Sequence, residues 1–184
     1  RYLLAFTTTP WTLPSNLAIG IDKKLTYVVI KENVQRRLNS SSSSKNLELK
    51  EKEYIVSKES ASKLFPNEKI LEELKGEKLL GLKYEPLFPY FKDLKNSFKI
   101  IAVDFVIAEE GTGLIHLAPA FGEDDYEACK ENKIDFVKPV DEKGQFTEEV
   151  PEFQGLFVKD TDIKIIIKLH EQGKLFKKES YTHT

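Results

Sequence analysis

Two prolines set where the first strand of this chain must stop. Tyr2-Leu3-Leu4-Ala5-Phe6 is an apolar run that reads as a buried strand, and it leads into Thr7-Thr8-Thr9-Pro10-Trp11-Thr12-Leu13-Pro14-Ser15-Asn16. Pro10 and Pro14 have no N–H to give a sheet ladder, so pairing cannot run through them. Four threonines and the only tryptophan of the chain fall within these ten positions. Hydroxyls delivered at a strand end, beside an indole face and a stiffened loop, suit a small polar ligand. Thr is also a common strand residue, and Pro-x-x-x-Pro marks turns, so this stretch alone leaves both readings open.

Further along, Leu25–Ile30 has the pattern of a strand and Glu53–Val56 that of its return. Between them, Asn39 to Asn46 contains five consecutive serines, a low-complexity tract expected to be a flexible insertion. Ser57 is placed to cap a short helix ending at Phe65, before Pro66. Asn67 is placed to cap a second helix, with Ile70, Leu71 and Leu74 on one face and Gly76 as its stop. Leu79 to Phe91 carries Pro86 and Pro89, which favours an edge or looping segment. Phe98 to Ile107 is the longest strand candidate, with Ile101, Val103, Phe105 and Ile107 on one face. After the turn Glu109–Gly113, Leu114–Leu117 is expected to pair back on it as a hairpin.

Ala118–Gly122 breaks that strand. Glu123-Asp124-Asp125 then opens a helix reaching Asn132, with three carboxylates in the first turn where the helix dipole favours them. Val137 to Phe157 alternates short strands and turns, one of them Asp141–Gly144. Asp160 or Thr161 caps a last helix in which Ile163, Ile166, Ile167 and His170 recur at helical spacing, with Gly173 as its end. Many short strands with three or four helices, and no regular βαβ alternation, predict a mixed α+β fold around an antiparallel sheet or barrel.

Composition narrows the function. With 184 residues the chain is long enough for one domain with a real core. A net charge of −2 leaves no broad footprint for nucleic acid. Only Arg1, Arg36 and Arg37 supply guanidinium groups, which disfavours a bidentate phosphate clamp. Cys129 is alone, so neither a disulfide nor a cysteine metal site is expected, in keeping with a reducing compartment. No apolar run approaches membrane-spanning length. The lack of any methionine, and an opening inside an apolar run, lead to the expectation of a domain taken from a longer protein.

His116 ends a short apolar strand, and Asp125 follows at a helix start. Strand, Pro-Gly break and helix would set both near one pocket mouth, where a histidine beside a carboxylate can orient, sort or act as a base. The simpler reading is a hydrogen-bonded strand histidine and an aspartate that merely favours a helix N-terminus. Other chemistries lack their residues. Gly76 to Lys83 misses the phosphate-loop spacing. Three scattered histidines give no zinc set. No Gly-x-Ser-x-Gly is present to carry a serine nucleophile.

Taken together, Thr7–Asn16 resembles the threonine-rich peptide of the editing domain of isoleucyl-tRNA synthetases. Gly111-Thr112-Gly113-Leu114-Ile115-His116-Leu117-Ala118-Pro119-Ala120-Phe121-Gly122-Glu123-Asp124-Asp125-Tyr126 resembles that domain's second signature. Gly81–Leu87 and Val140–Gly144 also fit, so the resemblance spans nearly the whole chain. Valyl and leucyl relatives carry an Arg after two threonines, where Thr9-Pro10-Trp11 stands in this chain. The serine-rich stretch departs from the family pattern without touching the motifs.

The resemblance implies a single editing domain over residues 1–184, of α+β class, with a closed, barrel-like core of mostly antiparallel strands and flanking helices. It implies hydrolysis of valyl-tRNA(Ile) in the cytoplasm. The partners would be the 3′ acceptor end of that tRNA and the body of the synthetase, with the chain itself monomeric and off the membrane. No cofactor is implied in this domain, ATP and Mg²⁺ belonging to the synthetase body. Asp125 would pair with the substrate's α-ammonium. His116 and Trp11 would line the side-chain pocket and set its size limit. Thr7, Thr8, Thr9 and Thr12 would hold the ester carbonyl, the terminal adenosine and the attacking water, and Asn16 matches the motif. Two rivals stand beside this expectation: a non-catalytic module that captures tRNA ends or a protein, and a deacylase for another amino acid, such as threonine in valyl-type editing.

Overall fold

The computed structural model describes residues 1–34 and 50–179, so the serine-rich tract at 39–46 lies outside the described residues. The chain forms two compact units. The first comprises Arg1–Phe6, Ile21–Leu80 and Ala102–Ile115; the second comprises Thr7–Gly20, Gly81–Ile101 and the chain from His116 onward.

The first unit is built on a four-stranded sheet. Its strands are β1 (Tyr2–Leu3), β3 (Thr26–Val34), β4 (Lys50–Ser57) and β5 (Lys69–Lys75), in the order β1-β4-β3-β5. β3 pairs antiparallel with both β4 and β5, and β1 pairs parallel with β4. Tyr27, Val28, Val29 and Ile30 are all buried, as a central strand covered on both faces requires. Helix α1 (Lys58–Leu64) starts where expected, with the Ser57 hydroxyl accepting the Ser60 N–H. The Gly-Thr-Gly turn is a packing device of this unit. A Cβ at Gly113 would lie 2.3 Å from Ser57 Cβ, and one at Gly111 would lie 2.5 Å from the Phe6 ring. Both glycines have positive φ.

Three expectations fail. Tyr2–Phe6 is a two-residue edge strand plus an isolated bridge from Phe6 to Ile115, and Tyr2 is exposed. The segment after Asn67 is strand β5, because the open edge of β3 offers it a hydrogen-bonded ladder that an isolated short helix cannot match. The edge it presents is rich in Lys and Glu, which discourages pairing with another chain. The extended run at 98–107 is cut to β6 (Lys99–Ala102), so the nine-residue β3 is longer.

The second unit carries most of a three-stranded sheet of β2 (Ala18–Ile21), β6 and β7 (Ile115–Leu117), in the order β6-β2-β7. The expected hairpin between the partners of the Glu109–Gly113 turn does not form, since β2 lies between them. The two sheets are separate, and no closed barrel is present among the described residues. The fold is therefore α+β with mixed open sheets.

Helix α2 (Glu123–Glu131) bears the three first-turn carboxylates. Helix α3 (Asp162–Glu171) is preceded by Thr161 as its N-cap, without a side-chain capping bond. Its buried stripe is Ile165 and Leu169, whereas Ile163, Ile167 and His170 are exposed, which corrects the stripe expected from spacing. Ile165 and Leu169 join Phe88, Phe146, Val150, Phe153 and Val158 in one core, against which Trp11 and Leu13 pack.

Candidate functional site

Pairing stops short of the prolines, with Phe6 the last bridged residue before them, and Pro10–Ser15 forms a 3-10 helix with Pro10 at its first turn. This tight turn stacks Thr12 over Thr9: the Thr9 carbonyl accepts from Thr12 N–H at 3.2 Å and from Thr12 Oγ1 at 2.9 Å. Thr7 Oγ1 accepts from Thr9 N–H at 3.0 Å, a local turn of the kind threonine favours. Thr8 is exposed between them, and no partner holds its hydroxyl among the described residues. Trp11 is half-buried. Its backbone N–H donates to Asp162 Oδ1 at 2.8 Å, and its ring meets Phe121 edge-on with centroids 4.8 Å apart.

His116, in the middle of β7, is buried and fully engaged. Its Nε2 lies 2.9 Å from Thr12 Oγ1 and its Nδ1 lies 2.8 Å from Asn16 Nδ2. Asn16 Nδ2 also donates to Ala18 O at 2.9 Å, and Asn16 Oδ1 accepts from the Tyr84 hydroxyl at 2.5 Å. Ala18 O can only accept, so the amide nitrogen of Asn16 must face it. Nδ1 therefore accepts, Nε2 carries the hydrogen, and the Thr12 hydroxyl turns its own hydrogen to Thr9 O. Burial pushes the His116 pKa down to about 4, so the ring stays neutral at physiological pH. With both nitrogens committed to neighbours, His116 has no free lone pair to act as a base. It offers ring carbon edges and a fixed position.

Asp125 sits in the first turn of α2, and its Oδ2 accepts the Ala118 N–H at 2.8 Å. Burial raises its pKa above the usual aspartate value, with Asp124 adding to the rise and the Ala118 N–H opposing it. The carboxylate is thus anchored by one oxygen, and its other oxygen has no hydrogen-bond donor among the described residues.

Most of the residues expected from sequence meet within the second unit. Thr9, Thr12, Asn16 and His116 form one network, and Leu17 N–H donates to Leu117 O beside it. Trp11 reaches the strand-to-helix loop through Phe121, and Asp125 is tied to that loop at Ala118. Thr7 joins it only by accepting the Thr9 N–H, and Thr8 lies outside it. Sequence reading missed Tyr84, which completes the asparagine, and Asp162, which holds Trp11. Tyr84 lies in the segment Gly81–Leu87 already noted as fitting the family; Asp162 signals itself only as a first-turn acid. Among the described residues, no group of three or more His, Cys, Asp and Glu side chains could hold a metal ion, and no helix is long and apolar enough to cross a membrane.

Comparison with solved structures gives the fold a counterpart. The chain has the fold of synthetase editing domains: it superposes on the crystal structure of GlLeuRS-CP1 with a TM-score of 0.67 at 15% identity, covering 100% of this chain and 85% of that one. The editing domain of the P. knowlesi cytosolic leucyl-tRNA synthetase matches at 0.68 and 17% identity, over 95% and 83%. No protein-family model matches the chain.

Sequence comparison adds relatives of another kind. The chain is similar over nearly its whole length to isoleucine–tRNA ligases. It is 45% identical over 182 residues to the ligase of Rickettsia akari and 46% identical over 182 residues to that of Rickettsia felis, covering 98% of this chain in each case. The chain spans about 15% of the length of these ligases.

Proposed function

We propose that this chain is the editing module of an isoleucine–tRNA ligase and hydrolyses valyl-tRNA(Ile). The observation that carries the reading is the meeting of the threonine loop and the strand-to-helix loop, with Asp125 tethered at Ala118. Asp125 receives the α-ammonium of the aminoacyl group. Trp11 and the ring edge of His116 bound the side chain. The exposed Thr8, with Thr7 and the main chain of the loop, holds the ester and the water.

The need for such a site is physical. One methylene in an apolar pocket discriminates by only about 1–3 kcal/mol, a limit for which isoleucine against valine is the standard illustration. A second site that rejects the larger side chain by clash sorts more sharply. The ester is already activated, so positioning of water and stabilisation of the oxyanion suffice without a covalent nucleophile. The modest net charge suits a module that holds the single-stranded acceptor end while the body of the synthetase grips the remainder. In this reading residues 1–184 act as one monomeric cytoplasmic module of that enzyme, and ATP and Mg²⁺ act only in its body.

The test is deacylation of valyl-tRNA(Ile) compared with isoleucyl-tRNA(Ile) and threonyl-tRNA(Val). The valyl substrate is cleared fastest. Asp125→Ala slows its clearance roughly 10- to 100-fold, as the loss of one charge-assisted bond implies. Clearance by Asp125→Ala at the parent rate would rule out Asp125 as the acceptor of the ammonium. Preference for the threonyl substrate would move the chain to valyl-type editing.

A further inference from the structure

The site contains a polar relay that begins outside both sequence motifs. The segment Gly81–Tyr84 runs against β6: Gly81 N–H donates to Ile100 O, Ile100 N–H to Leu82 O, and Tyr84 N–H to Phe98 O, each at 2.9 Å. The Tyr84 ring packs edge-on against Phe98, with centroids 6.1 Å apart. Phe98 N–H in turn donates to Leu17 O at 2.7 Å, next to Asn16. Backbone and ring together fix the Tyr84 hydroxyl 2.5 Å from Asn16 Oδ1.

From there every hydrogen has one direction. The Tyr84 hydroxyl donates to Asn16, Asn16 donates to Ala18 O and His116 Nδ1, His116 Nε2–H donates to Thr12, and Thr12 donates to Thr9 O. Reversing the histidine tautomer would set an N–H against the asparagine N–H and leave the Thr9 carbonyl with one donor instead of two. The Thr9 carbonyl is the last link and belongs to the loop that presents Thr8.

We propose that Tyr84 is a positioning residue: gripping the oxygen of the Asn16 amide whose nitrogen Ala18 O holds, it steadies His116 in the Nε2–H tautomer, and so fixes the plane of the Thr9 peptide and the presentation of Thr8. It touches no reacting atom. The relay stands on the geometry alone, and only its kinetic consequence rests on the editing reading.

Two measurements separate these levels. The first is the ring ¹⁵N and ¹H spectrum of His116 in the histidine-labelled protein. The parent shows a single tautomer, protonated at Nε2. Tyr84→Phe, which keeps the ring against Phe98, gives a mixture of tautomers or exchange-broadened ring signals. Asn16→Asp, whose carboxylate can only accept, turns the ring to the Nδ1–H form. An Nδ1–H ring in the parent, or ring signals unmoved by Tyr84→Phe, would overturn the proposal whatever the protein's activity. The second measurement is deacylation of valyl-tRNA(Ile) by Tyr84→Phe. The account expects kcat to fall about 3- to 10-fold, the value of one neutral hydrogen bond, with KM unchanged. An unchanged kcat beside a disturbed tautomer would overturn the positioning role and leave the proposed editing function untouched. Absence of any deacylation in the parent would count against the editing reading and not against the relay.

Discussion

A single imidazole has two faces in this protein, a structural one and a functional one, and acid separates them. His116 is neutral in the fold, with its pKa lowered from 6.5 to about 4 by burial. The unfolded chain therefore takes up a proton at a pH where the folded protein does not. The stability that His116 lends is complete above pH 6.5, declines as the pH falls below that value, and is exhausted near 4. Asp125 acts with the opposite sign, because its raised pKa makes the protonated form the better one in the fold. Comparing the parent with His116→Gln cancels that contribution, since Asp125 is present in both. In urea titrations across this range, the parent should lose stability more steeply than the variant. Parallel curves would show that the His116 ring titrates normally and is not sealed in the relay.

At the scale of elements, the Ser57 cap and the Asp141–Gly144 turn were legible, whereas the Asn67 cap and the face of α3 were not. Ser57 caps α1 because its hydroxyl meets the Ser60 N–H, and the Asp141–Gly144 turn closes because Asp141 Oδ1 accepts from Lys143 N–H and Gln145 N–H. Both depend on neighbours in sequence. The face of α3 does not. Isoleucine occupies 163, 165, 166 and 167, so several stripes fit the same residues. The choice falls to the aromatic core that receives Ile165 and Leu169. Ile165→Ala should cost about 2–5 kcal/mol by opening a cavity there. Ile163→Ala, two-thirds exposed at 66%, should stay within about 0.5 kcal/mol. Equal costs in thermal or denaturant unfolding would return the stripe to the one expected from spacing. β5 was misread for a related reason: Ile70, Leu71 and Leu74 suit a helix locally, but the free edge of β3 lies far away in sequence. Tyr84 escaped notice because its partner, Asn16, is 68 residues distant and nothing local marks the contact.

Over the whole molecule, the two motifs prove to be assembled by different means. The Gly-Thr-Gly start of the second signature is spent on packing against Ser57 and Phe6 in the first unit, whereas its His116 and Asp125 serve the network of the second. Nearly all of the candidate site thus came from two stretches of sequence, and what the fold added was the tyrosine that orders them and the aspartate that holds Trp11. The proposed function rests on one arrangement, the Asp125 carboxylate tethered to the loop whose Phe121 meets Trp11 of the threonine loop. Its most direct test is the binding of a non-hydrolysable valyl-adenosine analogue, followed by titration against the parent and Asp125→Ala. The account predicts saturable binding to the parent that shifts the Trp11 indole and Thr8 signals, with affinity reduced roughly 10- to 100-fold in Asp125→Ala. Equal affinity for both proteins, or binding that leaves Trp11 and Thr8 unmoved, would contradict it.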